Sequence, residues 1–188
     1  MTVANPGRVA YGPFCCYPSP DRVPVSAEKG YEIHEFLAQE ALLLDRQQYT
    51  DWSTLLAQDS IYRCSKRLFA AFTGRGMETI EDAEREYDRA FLLRYLQSPN
   101  TSVEDLPLQP VRRLITNVIV SAADNAREFA VTSYVLVAGA RGALAQQPSL
   151  TIERRDVLRR HAHTYRIVRR SVDVSATDGD VLRAARIF

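Results

Sequence analysis

The apolar residues in the first half of the chain recur every three or four positions, which is the spacing of one face of an α-helix. Ser26 is a suitable N-cap for a first helix. The apolar face of that helix would contain Ile33, Phe36, Leu37, Ala41 and Leu44. A second, shorter helix is predicted from about Thr50, and a strand is predicted around Ile61 to Cys64. The apolar face of the second helix would contain Trp52, Leu55 and Leu56.

A third helix is predicted after Thr79 and Asp82, which fit a capping box, and it would end at Ser98–Pro99. Its apolar positions would be Tyr87, Phe91, Leu92, Tyr95 and Leu96. From Val111 the apolar period changes to two, which predicts strands. Four antiparallel strands are expected at about 111–121, 127–138, 149–160 and 164–174. Helices followed by a meander predict an α+β domain, with the helices packed on one face of a curved antiparallel sheet.

The strand expected at 127–138 is apolar on both faces. One face would carry Phe129, Val131, Val135 and Val137, and the other would carry Ala130, Tyr134 and Leu136. An antiparallel sheet that is covered on one side usually shows polar residues on the other. The second apolar face therefore requires a cover, either by curling of the sheet or by another subunit.

Residues 1–25 contain five prolines and two glycines, a density that forbids a regular helix. We expect an extended arm at 1–25, followed by a single α+β domain at 26–188. The arm carries Tyr11, Phe14 and Tyr17, which are unusual in a solvated tail. It could pack on its own domain or on a neighbour, or remain a loose terminus.

Composition and charge describe an ordinary water-soluble domain of 188 residues, with a formal net charge of +1. We expect neither a membrane span nor a secretory signal, and the near-zero net charge does not favour nucleic acid as a partner. The three cysteines, Cys15, Cys16 and Cys64, are an odd number and include an adjacent pair. Reduced thiols and a cytoplasmic location are expected.

Candidate chemistry within the chain is sparse. His161 and His163 are the only histidine pair with the spacing of metal ligands, and a solvated turn is the simpler interpretation. We therefore expect no metal and no cofactor bound to this chain. A stand-alone enzyme would need a base in an apolar pocket. The candidates for that role are His34, Asp45, Tyr49 and Asp51.

Arginines supply all but two of the basic residues, because Lys29 and Lys66 are the only lysines. In the last two strands they alternate with Glu153, Asp156 and Asp173, which predicts cross-strand ion pairs. The remaining guanidinium groups suit bidentate contacts with carboxylates of another subunit. The interface candidates are Tyr11, Phe14, Tyr17, Arg112, Arg113, Tyr134, Arg159, Arg160, Arg169 and Arg170.

Several segments, in this order, resemble the small (beta) subunit of Rieske-type aromatic-ring-hydroxylating dioxygenases. They are EIHEFL at 32–37, ALLLDR at 41–46, the Asp51–Trp52 pair, EYDR at 86–89, RRLITNV at 112–118, RRDVLRR at 154–160 and YRIVRRSV at 165–172. Each segment is weak alone, and the collinear set covers about residues 30–188. One departure is the last turn, which reads His161–Ala162–His163–Thr164 where the family usually has a tight Asp–Gly turn. This departure predicts a turn that is either longer or shaped for a particular neighbour.

The resemblance implies a curved α+β fold that is shared with nuclear transport factor two-like (cystatin-like) proteins. It implies a non-catalytic structural subunit that supports alpha subunits in the catabolism of an aromatic compound. The Rieske [2Fe-2S] cluster and the mononuclear Fe(II) would lie in the alpha subunit, and electrons would come from NADH through a reductase, often with a ferredoxin. The expected assembly is a trimer of this chain within a three-plus-three hexamer. Because the fold hosts several functions, two alternatives stay open. One is a pocket enzyme such as a dehydratase, isomerase or polyketide cyclase, and the other is a simple ligand-binding or dimerisation module.

Overall fold

Three helices and six strands form the part of the chain that the computed structural model describes, which is residues 23–65, 84–97, 111–139 and 149–174. In chain order the elements are α1 (Ala27–Asp45), α2 (Tyr49–Ser53), β1 (Leu56–Ser65), β2 (Glu84–Asp88), α3 (Arg89–Gln97), β3 (Val111–Ala122), β4 (Glu128–Gly139), β5 (Ser149–His161) and β6 (Thr164–Val174). The α+β class is confirmed. The arm residues Tyr11, Phe14 and Tyr17, together with Thr79 and Asp82, lie outside the described ranges.

The six strands form one sheet in the order β2-β1-β6-β5-β4-β3. The four strands predicted after Val111 are confirmed within about two residues at each end, and they pair as an antiparallel meander. The sheet is not antiparallel throughout, since β1 and β6 run parallel. Alternation within a strand does not reveal which distant strand lies beside it, so this pairing could not be predicted locally.

Helix α1 begins where the sequence predicts. The Ser26 hydroxyl accepts a hydrogen bond from the Lys29 backbone N–H at 3.3 Å, which satisfies one of the free donors of the first turn. All five predicted apolar positions of this helix are buried. The helix packs against β3 and β6, and Trp52 of α2 is also fully buried. The core thus lies between α1, α2 and one face of the sheet.

The third helix starts later than predicted. Residues 84–88 form the edge strand β2 along β1, and α3 begins only at Arg89. The spacing of Tyr87, Phe91 and Tyr95 fits a helix, but a separation of four also fits a strand period. Asp88 then caps the helix, because its Oδ1 accepts from the Phe91 N–H at 2.7 Å. Pairing with β1 outweighs the local helical pattern before Asp88.

Residues 23–25 run along the edge strand β3. The Ala122 N–H donates to the Val23 carbonyl at 3.1 Å, and Pro24 bridges to Ser121. The chain therefore enters the domain beside the end of β3. Among the described residues, no helix is both long enough and apolar enough to cross a membrane.

The β5–β6 turn is a tight two-residue hairpin, so the expectation of a longer turn is wrong. His161 pairs with Thr164, and Ala162 takes a φ of 52°. A left-handed conformation places the Cβ of an L-residue against the following carbonyl oxygen. Ala162 therefore occupies a position that favours glycine.

We predict that Ala162→Gly stabilises the domain by about 0.5–1 kcal/mol, because relief of the left-handed strain exceeds the added entropy of the unfolded chain. Chemical denaturation of the purified protein measures the change. Ala126→Gly in the β3–β4 turn is the control, since φ at Ala126 is not positive. The control should lose stability, and a loss in both variants would show that Ala162 is unstrained.

Candidate functional site

Four charged side chains lie together inside the domain, between α1 and the middle of the sheet. We call this group the charge cluster: Glu40 from α1, Arg154 and Asp156 from β5, and Arg170 from β6. Each is at most 1% exposed. Two guanidinium groups and two carboxylates give the cluster no net charge, which is the condition under which charges can be buried at tolerable cost.

Arg170 is the centre of the charge cluster. Its Nη1 and Nη2 donate to the two oxygens of Glu40 at 2.5 and 2.9 Å. Its Nε and Nη2 donate to the two oxygens of Asp156 at 2.7 and 3.0 Å. Both carboxylates are therefore held by two directed bonds to one planar group. Since Asp156 and Arg170 are cross-strand partners, the expected pairing of charges across these strands is confirmed here.

Arg154 and Trp52 complete the surroundings of Glu40. Arg154 Nη1 lies 3.1 Å from Glu40 Oε2, and the Trp52 indole Nε1 donates to Glu40 Oε1 at 3.1 Å. Glu40 therefore links α1 to α2, β5 and β6. Burial alone would raise the pKa of Glu40, but the charges of Arg170 and Arg154 and the hydrogen bonds lower this pKa to about 2. Burial likewise lowers the pKa of Arg170, and the charges of Asp156 and Glu40 raise it well above its usual value.

A second buried ion pair joins the end of α1 to β3. Arg113 Nη1 donates to Asp45 Oδ1 at 2.7 Å, and the Arg113 backbone N–H donates to Oδ2 at 3.2 Å. Their side chains are only 2% and 7% exposed. A carboxylate in the last turn of a helix is disfavoured by the helix dipole. The Arg113 cation offsets that cost and fixes the position of β3 relative to the end of α1.

The four catalytic candidates do not converge on one site. His34 and Asp51 are exposed, Tyr49 is half-buried, and Asp45 is bound to Arg113. His34 and Asp45 are eleven residues apart on α1, which separates them by about 16 Å along the helix axis. Arg46, the residue that follows Asp45, is exposed.

The interface candidates divide between the interior and the surface. Arg113 and Arg170 lie in the interior, where they make the ion pairs described above, so they do not present a surface to another subunit. Arg112 and Arg169 are exposed. Arg159 and Arg160 are 37% and 39% exposed, and they pair with carboxylates within the domain. Arg159 contacts Asp59 and Glu128, whereas Arg160 contacts Glu32.

The sheet face opposite the charge cluster carries an apolar patch. We call it the outer patch: Leu114 and Thr116 of β3, Tyr134 and Leu136 of β4, and Thr151 of β5. These residues are cross-strand neighbours, since Leu114 pairs with Leu136, Leu136 with Thr151, and Thr116 with Tyr134. Leu114 is 53% exposed and Tyr134 is 38% exposed. Among the described residues, no helix covers this face, because α1 packs on the buried one.

The histidine pair lies at the tip of the β5–β6 hairpin, where both side chains are exposed. The part of the chain that the structure describes contains no group of three or more His, Cys, Asp or Glu side chains able to hold a metal ion. Cys64 is buried in the core, and burial raises the pKa of its thiol to about 12. These donors therefore do not fit either an iron site or a Rieske cluster within the described residues.

Glu40, which holds the charge cluster together, is the side chain that the sequence analysis did not identify. It follows Leu37 by three positions and precedes Leu44 by four, so the helical period places it on the apolar face of α1. A carboxylate at such a position requires a buried cation as its partner. The position of Glu40 on the apolar face of α1 could therefore have predicted a buried ion pair, and the arginine-rich strands contain the cations that it requires.

Comparison with known proteins identifies relatives over most of the chain. Residues 39–178 match the family described as "Ring hydroxylating beta subunit". The benzene 1,2-dioxygenase subunit beta of Pseudomonas putida is 30% identical over 160 residues, which cover 79% of this chain and 83% of the relative. The chlorobenzene dioxygenase subunit beta of a Cupriavidus species is 30% identical over 144 residues, which cover 73% and 76%. Among solved structures, the beta subunit of the benzoate 1,2-dioxygenase from Burkholderia mallei matches with a TM-score of 0.57 and 17% identity, covering 77% of this chain and 89% of that one.

We predict that Glu40→Gln destabilises the domain by about 3–5 kcal/mol, because the substitution leaves a buried guanidinium with too little negative charge. Glu35→Gln, on the exposed side of the same helix, is the control and should change stability by less than about 0.5 kcal/mol. Chemical denaturation at neutral pH gives both values.

The pH dependence gives a second measure of the same substitution. Because the pKa of Glu40 is lowered, its stabilisation is present above pH 4.5 and is lost as the pH falls towards about 2. The unfolding free energy of Glu40→Gln should therefore fall less steeply over this range than that of the unchanged protein. Equal slopes would show that Glu40 does not contribute to acid unfolding.

Proposed function

The chain belongs to the ring-hydroxylating beta subunit family, and from this premise we propose that it supports metal-bearing alpha subunits without taking part in their chemistry. The complex would dioxygenate an aromatic compound during its catabolism, in the cytoplasm. The alpha subunit would carry the Rieske [2Fe-2S] cluster and the mononuclear Fe(II). NADH would supply the electrons through a reductase, with or without a ferredoxin.

The observation that carries this proposal is the outer patch. It places Leu114, Leu136 and Tyr134 side by side on a sheet face that no described helix covers. An apolar centre with aromatic residues and arginine nearby is typical of lasting subunit interfaces. Arg112, two residues before Leu114 on β3, is exposed at the surface, where a planar guanidinium group can pair with a carboxylate of a neighbour. We therefore assign the outer patch to contact with another subunit.

The interior supports the same proposal for a different reason. Asp45, Glu40 and Asp156 are the buried carboxylates described above, and each is held by arginine. A general base needs a carboxylate that can take up a proton near neutral pH. A pKa of about 2 removes Glu40 from that role. These groups fit the task of holding the fold rather than of transferring protons.

The proposed assembly is a trimer of this chain combined with three alpha subunits. Contacts in a closed trimer are heterologous, so each copy presents two different surfaces to its neighbours, and the outer patch would be part of one of them. Arm residues Tyr11, Phe14 and Tyr17 would add contacts with a neighbour. The β3–β4 end of the sheet, where residues 23–25 enter the domain, is the origin of that arm.

We predict that Leu114→Glu weakens assembly at least about tenfold while leaving the fold intact, because it places a charge in the apolar centre of an interface. Leu42→Glu is the matched control, because Leu42 is 50% exposed but lies on α1. Native mass spectrometry of the co-expressed subunits measures assembly and separates loss of self-association from loss of the alpha subunit. If both variants assemble normally, the outer patch is not an interface.

We also predict that His34→Ala and Asp51→Asn leave turnover of the reconstituted complex within about threefold, because both groups are surface-exposed and neither would approach the reacting ring. The measurement is product formation at saturating electron supply, with assembly checked by sizing. A loss of about a hundredfold with assembly intact would make this chain part of the active site.

A further inference from the structure

We propose that strands β4 and β5 enclose one internal water molecule, bound between the guanidinium group of Arg154 and the hydroxyl of Ser133. Ser133 is 0% exposed and Arg154 is 1% exposed. The site belongs to this chain alone, so it does not depend on the function proposed above.

The register of the sheet brings the two side chains together. Ser133 and Arg154 are directly opposite one another on antiparallel strands. Cross-strand partners point to the same face, with their Cβ atoms about 4.5–5.5 Å apart. Here that face is the buried one, on which Val131 and Val135 flank Ser133. Both polar groups therefore face the same apolar interior, beside the charge cluster.

Neither side chain has its hydrogen bonds satisfied by the described residues. Ser133 Oγ and Arg154 Nη2 are buried and have no hydrogen-bond partner among them. Arg154 Nε lies 3.1 Å from Asp156 Oδ2, but its N–H is not directed at that oxygen. Only Nη1 remains in close contact with Glu40, at 3.1 Å. Buried polar groups in folded proteins almost always have a partner, and internal water is the usual one where protein atoms do not suffice.

The charges identify the ligand as neutral. Two guanidinium groups already balance two carboxylates in the charge cluster, so a buried anion would add an uncompensated negative charge. A cation would meet the positive Arg154. A water molecule can accept from Arg154 Nη2 and exchange a hydrogen bond with the Ser133 hydroxyl, which supplies the partners that both groups lack.

The direct test is a crystal structure of the full chain, in its assembled form, at a resolution that shows ordered water. We expect one peak of density about 2.7–3.2 Å from both Arg154 Nη2 and Ser133 Oγ. Crystals grown with bromide in place of chloride separate water from a halide through anomalous scattering. A bromide peak at this position would replace the water proposal by an anion site, and Ser133 bonded directly to Arg154 with no density between them would end it.

Two substitutions at Ser133 provide an independent test. Ser133→Ala removes one hydrogen-bond partner of the proposed water but leaves room for it, so the water should stay bound to Arg154. Ser133→Val fills the space and should expel it. We expect the unfolding equilibrium constant of the Val variant to exceed that of the Ala variant at least about tenfold, since Arg154 Nη2 then has no partner.

Packing and strand propensity alone predict the opposite order, because valine buries more apolar surface and prefers strands. Greater stability of the Val variant would therefore overturn the proposal. Overpacking by valine could mimic the expected order, and the density in the unchanged protein distinguishes that case. Without density beside Ser133, the proposal fails whatever the order of the variants.

Discussion

The fold depends on four charged side chains that are buried together between α1 and the sheet. Arg170 holds Glu40 of the helical layer and Asp156 of the sheet at the same time, so the guanidinium plane fixes how α1 sits on β5 and β6. Such a cluster adds little net stability compared with an apolar core of equal volume, but any single unpaired member is costly. The charge cluster therefore constrains geometry. Helix α1 must pack on β5 and β6 in the position that pairs the charges. Asp45 and Arg113 impose a similar condition at the other end of α1.

The two faces of the sheet have different roles, because the charge cluster lies on one and the outer patch on the other. The buried face uses its charged side chains in ion pairs within the chain, whereas the opposite face presents Leu114, Leu136 and Tyr134 as neighbouring side chains. The strands that carry this face are hydrogen-bonded to one another along their length, so binding of a neighbour would order little additional backbone. Membership of the ring-hydroxylating beta subunit family is consistent with the role of a scaffold, and the proposed alpha subunit would use the sheet as a support.

Much of the fold could be predicted from local sequence. The apolar pattern from Val111 onward placed strands β3 to β6 within about two residues at each end, and Ser26 marks the start of α1. Strand β2 was missed because Tyr87, Phe91 and Tyr95 have a spacing that fits a helix as well as a strand. The parallel pairing of β1 with β6 depends on contacts about a hundred residues apart, which no local period records. Arg170 was named as an interface candidate because it belongs to the arginine-rich strands, although a carboxylate on the apolar face of α1 indicated a buried cation. The family itself could be recognised because several weak segments occur in the order that the family requires.

The most direct test of this account is a structure of the assembled complex by electron cryo-microscopy. Leu114 and Tyr134 are expected to lie against another subunit. Within each copy of this chain, the charge cluster is expected to keep its mutual contacts. Metal density is expected in the alpha subunits. Solvent over the outer patch, with the neighbouring subunits bound to other surfaces of this chain, would contradict the central claim that the outer patch builds the complex.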